Sequence, residues 1–123
     1  MKLHLAGTTG RNTVTGYGTG YVSVNGARYE KSLVVLPQRI VADWPPTTFE
    51  SLESSHLAAL VGLGVDIVLL GTGDNLRFPR PEIMRPLVDA RIGLEVMDVQ
   101  AACRTYNILM AEERKVAAAL LLG

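Results

Sequence analysis

Three places in this sequence hold residue types that could do chemistry: Gly71-Thr72-Gly73, Asp98, and the pair Arg104 and Asn107. Two glycines around a threonine let backbone amides approach an anion closely, as oxyanion and phosphate sites require. The same three residues also suit a plain tight turn, in which glycine relieves crowding. Neither a full Walker loop nor a dinucleotide fingerprint accompanies them. A carboxylate at Asp98 could act as a general base or orient a ligand. It could equally cap a helix by accepting from the first free amides, and a negative cap opposes an anion at that helix end. Arg104 and Asn107 are one helical turn apart and can share a face.

Other candidates carry less. Cys103 sits beside Ala102 and Tyr106 in an apolar helical stretch, where a thiol behaves as a small hydrophobe rather than a nucleophile. Neither His4 nor His56 has a spacing that pairs it with Cys103, and no metal-ligand spacing is present. The glycines of Gly16-Tyr17-Gly18-Thr19-Gly20-Tyr21 precede a hairpin instead of opening a helix, so they read as a bend or bulge between strands. Trp44, beside two prolines, reads as a core plug or a recognition aromatic. Glu112-Glu113 followed by Arg114-Lys115 reads as a solvated turn.

The elements that must position these residues follow from periodicity. Val22 and Val24 alternate with Ser23 before Asn25-Gly26, the pair a type I′ hairpin needs. Tyr29, the run Ser32–Leu36 and the piece Gln38–Ala42 continue as β structure until Pro45-Pro46 ends it. Ser51 or Ser54 can cap a helix to about Leu63, with Leu52, Leu57, Leu60 and Val61 on one face and Gly62 and Gly64 as stops. Val65–Leu70 is nearly all apolar, as in a parallel strand buried on both faces. Pro81 opens a helix through Ile83, Met84, Leu87, Val88 and Ile92, ended by Gly93. Leu94–Met97 gives another strand, and Asp98 starts a helix through Leu109. Propensity alone would extend that helix into Arg114–Leu122.

Strand, helix, strand, helix in this order is a βαβ crossover with parallel strands. The carboxyl ends of 65–70 and 94–97 then open on one edge, where open α/β sheets tend to bind ligands. The chain, at 123 residues, 48% hydrophobic and 20% charged, suits one domain spanning 1–123. Its 12 basic and 12 acidic residues cancel, which speaks against nucleic acid as a partner. Arg11, Arg28, Lys31 and Arg39 make only a loose basic stripe. One cysteine excludes an internal disulfide. The N-terminal residues show no unbroken apolar stretch of the kind a secretory signal has, and no run approaches a membrane span. The expectation is a cytoplasmic protein.

The block GLEVMDVQAACRTYNILMAEERKVAAALL, Gly93–Leu121, joins with Gly71-Thr72-Gly73, Phe78-Pro79 and Asp43-Trp44-Pro45 to carry a resemblance. Over Val14–Leu122 the chain resembles a small domain-of-unknown-function family that includes a mitochondrial respiratory complex I assembly factor. The stretch Glu95–Asn107 is the specific part. The resemblance implies a two-layer α/β domain with a mixed sheet containing the βαβ unit and an N-terminal β-hairpin. It also makes 114–122 a strand, against propensity. It implies no catalytic residues and no cofactor, and action through protein partners.

Two functions follow as expectations. One is a non-enzymatic protein-interaction or assembly-factor-like domain with an unknown protein partner. The other is a small-molecule site, binding or catalytic, at the crevice of Gly71, Thr72, Gly73, Asp98, Arg104 and Asn107. Homo-oligomerisation is left open, since the hairpin at 21–32 could offer an edge strand to a twin.

Overall fold

The computed structural model describes residues 10–123. His4 and most of the N-terminal stretch read for a leader lie outside the described residues. Strands β1 (Val14–Gly18), β2 (Tyr21–Val24) and β3 (Ala27–Tyr29) form a three-stranded antiparallel sheet. Asn25 and Gly26 join β2 to β3 with φ of 52° and 85°, the two positive values a type I′ turn demands. The β1–β2 register slips between Val14 and Gly16, so the glycine-rich segment is a bulged hairpin.

The chain continues through β4 (Leu33–Val35), β5 (Ile40–Val41), α1 (Ser54–Ala58), β6 (Ile67–Gly71), α2 (Pro81–Asp89), β7 (Gly93–Met97), α3 (Val99–Ala111) and β8 (Val116–Leu120). The second sheet has the order β5-β4-β8-β6-β7. Strand β6 lies parallel to both β7 and β8, whereas β4 is antiparallel to β8 and β5. The βαβ unit β6-α2-β7 and the N-terminal hairpin are those read from the residues, and the mixed sheet is the one the resemblance implied.

Alternation along the central strands sends side chains to opposite faces. Leu33, Val35, Leu69, Ala118 and Leu120 pack with α3 and the small sheet. Val34, Val68, Leu70, Ala117 and Ala119 pack with Trp44, Leu57 and Leu87. All five residues of β8 are buried. Three alanines there leave the close approach that helices on both faces require. Trp44 is a core plug, its Nε1–H donating to the His56 carbonyl at 3.2 Å.

Several boundaries differ from expectation. Helix α1 is capped at Glu53, whose N–H donates to His56 Nδ1 at 2.9 Å. Ser51 instead organises the preceding turn, its Oγ accepting from the Thr47 and Thr48 amides. The helix closes after Ala58, and a 3₁₀ turn at Val61–Leu63 leaves Val61 exposed. Helix α2 starts at Pro81 as read, but it ends at Asp89, before Ile92. Val88 is 63% exposed and so not on the buried face. Arg91, at φ 58°, makes the stop: Arg91 N–H donates to Val88 O and Ile92 N–H to Leu87 O. That is a Schellman closure with arginine where glycine is usual. Gly93 therefore opens β7 rather than ending α2.

Candidate functional site

The crevice is built by the connectivity. Strand β6 is followed by α2 on one sheet face, and β7 by α3 on the other. Helices departing to opposite faces open a gap at the carboxyl ends of adjacent strands. Gly71, Thr72, Gly73 and Asp98 meet there. Arg104 and Asn107, further along α3, find their hydrogen-bond partners in β1, although the Arg104 charge still interacts with that of Asp98.

Backbone and side-chain bonds occupy this gap. Thr72 N–H donates to Met97 O at 2.9 Å, and Val99 N–H to Gly73 O at 2.9 Å. The Thr72 hydroxyl donates to Asn75 O at 2.7 Å and accepts from the Arg77 amide at 3.1 Å. Thr72 is buried and ties the loop after β6 to the end of β7. Gly71 has a packing role: a Cβ placed on it would lie 3.1 Å from Val99 Cα and 3.0 Å from Leu120 Cδ2. Asp98 caps α3, its carboxylate accepting from the Ala101 amide at 2.9 Å. Gly71 thus lets α3 approach the sheet, whereas Gly73 turns the chain at a φ of 87°. Beside them, Gly73, Asp74 and the Thr19-Gly20 turn line a cavity of about 140 Å³.

Arg104 and Asn107 face the small sheet. Arg104 Nη1 donates to the Tyr17 hydroxyl at 3.0 Å, a bond that raises the guanidinium pKa. Asn107 is buried against β1, bonding the Val14 amide and carbonyl at 2.9 and 2.8 Å. Its amide serves as a stub of extra strand for β1. Their helical spacing was readable, but the partners, in β1, are far away in sequence.

Cys103 is fully buried in the core, and desolvation pushes its thiol up to about 12. A thiol held protonated cannot serve as a nucleophile at neutral pH. The Tyr106 hydroxyl donates to Asn12 O at 2.8 Å, and burial raises its pKa as well. Among the described residues no group of His, Cys, Asp and Glu could hold a metal ion. Among the same residues no helix is long and apolar enough to cross a membrane. The loose basic stripe is divided: Arg11 and Arg39 line one groove, while Arg28 and Lys31 line another. Arg28 also pairs with Glu30 and stacks on the Tyr21 ring.

Residues 14–121 match a family described as a protein of unknown function, DUF498/DUF598. The chain belongs to this family. The DUF498/DUF598 chain is 35% identical over 104 residues to NADH dehydrogenase (ubiquinone) 1 alpha subcomplex assembly factor 3 of Bos taurus. That alignment covers 83% of this chain and 55% of the relative. The chain spans about half the length of the assembly factors it matches. A crystal structure of a Bordetella parapertussis protein is 44% identical, with a TM-score of 0.87, over 94% of this chain and 98% of that one. A solution structure from Bordetella pertussis, described as a Mth938-like domain, is 38% identical. It superposes with a TM-score of 0.82 over 99% of this chain and 92% of that one.

Proposed function

We propose that this DUF498/DUF598 chain is a non-enzymatic protein-interaction domain that acts as an assembly factor. The observation that carries this reading is the 35% identity to a protein named as an assembly factor. Two structural features support it. Among the described residues strand β7 is one edge of the large sheet and pairs with β6 alone, and such an edge can accept a strand from a partner. Leu76 and Phe78, on the loop leaving β6, are 50% and 69% exposed. The same reading takes 1–123 as one cytoplasmic domain with no role in nucleic-acid binding.

Affinity capture of the tagged chain from its host's lysate tests the reading, with Phe78→Asp and Leu76→Asp as controls. A stoichiometric protein partner, lost in those variants while their melting temperature holds, is the expected result. Capture of nothing, or of proteins that all three baits retain equally, would sink it. Retention on heparin that weakens with salt would show a nucleic-acid-binding surface instead.

The cavity of about 140 Å³ beside Gly73 favours a second reading, a small-molecule site at the crevice. Asparagine caps helices about as well as aspartate. Asp98→Asn should therefore keep the fold while abolishing a ligand-induced thermal shift. A fall in melting temperature with no effect on any ligand supports capping alone.

A further inference from the structure

The opposite edge of the large sheet holds a larger opening. Strand β4 runs antiparallel to β8 and β6 runs parallel to it. The end of β4 and the starts of β6 and β8 therefore meet at one edge, remote from Gly71. A groove of about 640 Å³ lies there, within the range of roughly 300–1,000 Å³ common for small-molecule sites. Its floor is apolar, with Leu36, Val65, Met110 and Val116 all buried. Its walls carry Arg11, Arg39, Arg114 and Lys115 against Glu113 among the described residues. Four cations and one carboxylate give a local charge of +3 in a chain whose formal net charge is zero.

Backbone geometry places the residues that carry these cations around the groove. Arg39 sits in the β4–β5 turn, which closes through Leu36 N–H to Arg39 O at 2.9 Å. Arg114 and Lys115 follow Glu113, whose φ of 65° ends α3 and turns the chain into β8. Arg114 N–H completes that turn on Leu109 O at 2.9 Å. Arg11 Nη1 donates to Met110 O at 2.8 Å, placing a guanidinium on the α3 carboxyl end. This offsets the charge of about −0.5 that a helix end presents and that would otherwise repel an anion. Among the described residues Arg39, Arg114 and Lys115 join no salt bridge; those present are Arg28–Glu30, Arg77–Glu50 and Arg80–Glu82.

We propose that this groove binds a small amphipathic anion, a carboxylate or phosphate head on an apolar body. The rim cations pair the head, since guanidinium forks match both anions in bidentate fashion. The body lies on Leu36, Val65 and Val116, where apolar surface leaves water. Neither half suffices by itself. Charge also separates this occupant from the chain's own first residues, because the segment before Gly10 carries Lys2 and His4 and no acidic residue. The site is independent of the assembly reading.

Titration of the full chain with decanoate and decyl phosphate, followed by calorimetry and amide NMR shifts, tests this. Decanol and acetate serve as the apolar-only and head-only controls. The expected result is saturable binding of at least one anion, at least tenfold tighter than decanol or acetate, with shifts centred on Leu36, Val65 and Val116. Whichever anion binds tighter identifies the head. The double substitution Arg114→Glu and Lys115→Glu should weaken that binding at least tenfold without lowering the melting temperature. If that variant unfolds, Arg39→Gln provides the milder version, with a severalfold loss. Equal affinity for decanol, shifts centred elsewhere, or full retention of binding by a folded variant overturns the proposal. Contacts from Leu3 or Leu5 to Val65 in the free chain, with no anion binding, also overturn it by assigning the groove to the chain's own N-terminal segment.

Discussion

Asn107 and Val14 form a closed pair of hydrogen bonds. Asn107 Oδ1 accepts from the Val14 amide at 2.9 Å, and Nδ2 donates to the Val14 carbonyl at 2.8 Å. Both residues are buried, so neither Val14 group has water to fall back on. The pair locks α3 to the first strand of the small sheet, and Tyr106 to Asn12 reinforces it from the adjacent helical position.

Replacing Asn107 by leucine keeps the branching and heavy-atom count but leaves the Val14 N–H and C=O without this partner. Each unsatisfied buried group costs about 1–3 kcal/mol, so Asn107→Leu, which strands two of them, should destabilise the fold by about 2–6 kcal/mol in urea unfolding. A loss below about 1 kcal/mol means that the pair is replaceable.

Gly71→Ala sets two effects against each other. Alanine restricts the unfolded chain, worth about 0.4–1 kcal/mol in its favour. Its Cβ would stand 3.1 Å from Val99 Cα and 3.0 Å from Leu120 Cδ2, and the first of these is backbone that cannot rotate away. Overpacking of this kind costs about 1–3 kcal/mol. The clash should win, and calorimetry should show a lower melting temperature than in the parent chain. An equal or higher one would refute the close approach of α3.

Arg91→Gly should act in the opposite direction. Left-handed backbone costs an L-residue about 1–2 kcal/mol, and glycine relieves it at some loss of unfolded-state entropy. A net gain of about 0.5–1 kcal/mol is expected from chemical denaturation. A loss would mean that the arginine side chain contributes more than the strain it causes.

Cys103 gives the protein an alkaline limit. The unfolded thiol ionises near pH 9.0, whereas the buried one does so near 12. Between those values the unfolded state releases a proton that the folded state keeps. Stability therefore falls as pH rises through this window, by up to about 1.4 kcal/mol per pH unit for one group. Tyr106, raised by burial, adds to the fall at higher pH. Unfolding experiments from pH 8 to 11 should show the decline, and Cys103→Ala should flatten it even though the variant starts less stable. A slope unchanged by the substitution would place the titration elsewhere.

What the sequence determined by itself is local. Asn25-Gly26 turns a hairpin because both residues tolerate positive φ, Pro81 opens α2 because the first helical position needs no donor, and Asp98 caps α3 because its carboxylate reaches the Ala101 amide. The continuous apolar run before Gly71 likewise declared a strand buried on both faces. Arg91 and Glu113 ended helices without the glycine that signals a stop, so those boundaries were not legible.

Tertiary structure decided the rest. Helix propensities differ by only tenths of a kcal/mol per residue, so the alanines of 117–119 yield to the pairing offered by β4 and β6 on either side. The resemblance to a family expected that strand, and residue propensity did not. In the same way Arg104 and Asn107 found their partners in Tyr17 and Val14, 87 and 93 residues away. Arg39, read in an extended piece and a loose basic stripe, and Arg114, read in a solvated turn, came to share one groove. Side-chain types and short spacings state what a residue can bond, but only the packed chain brings its partner within reach.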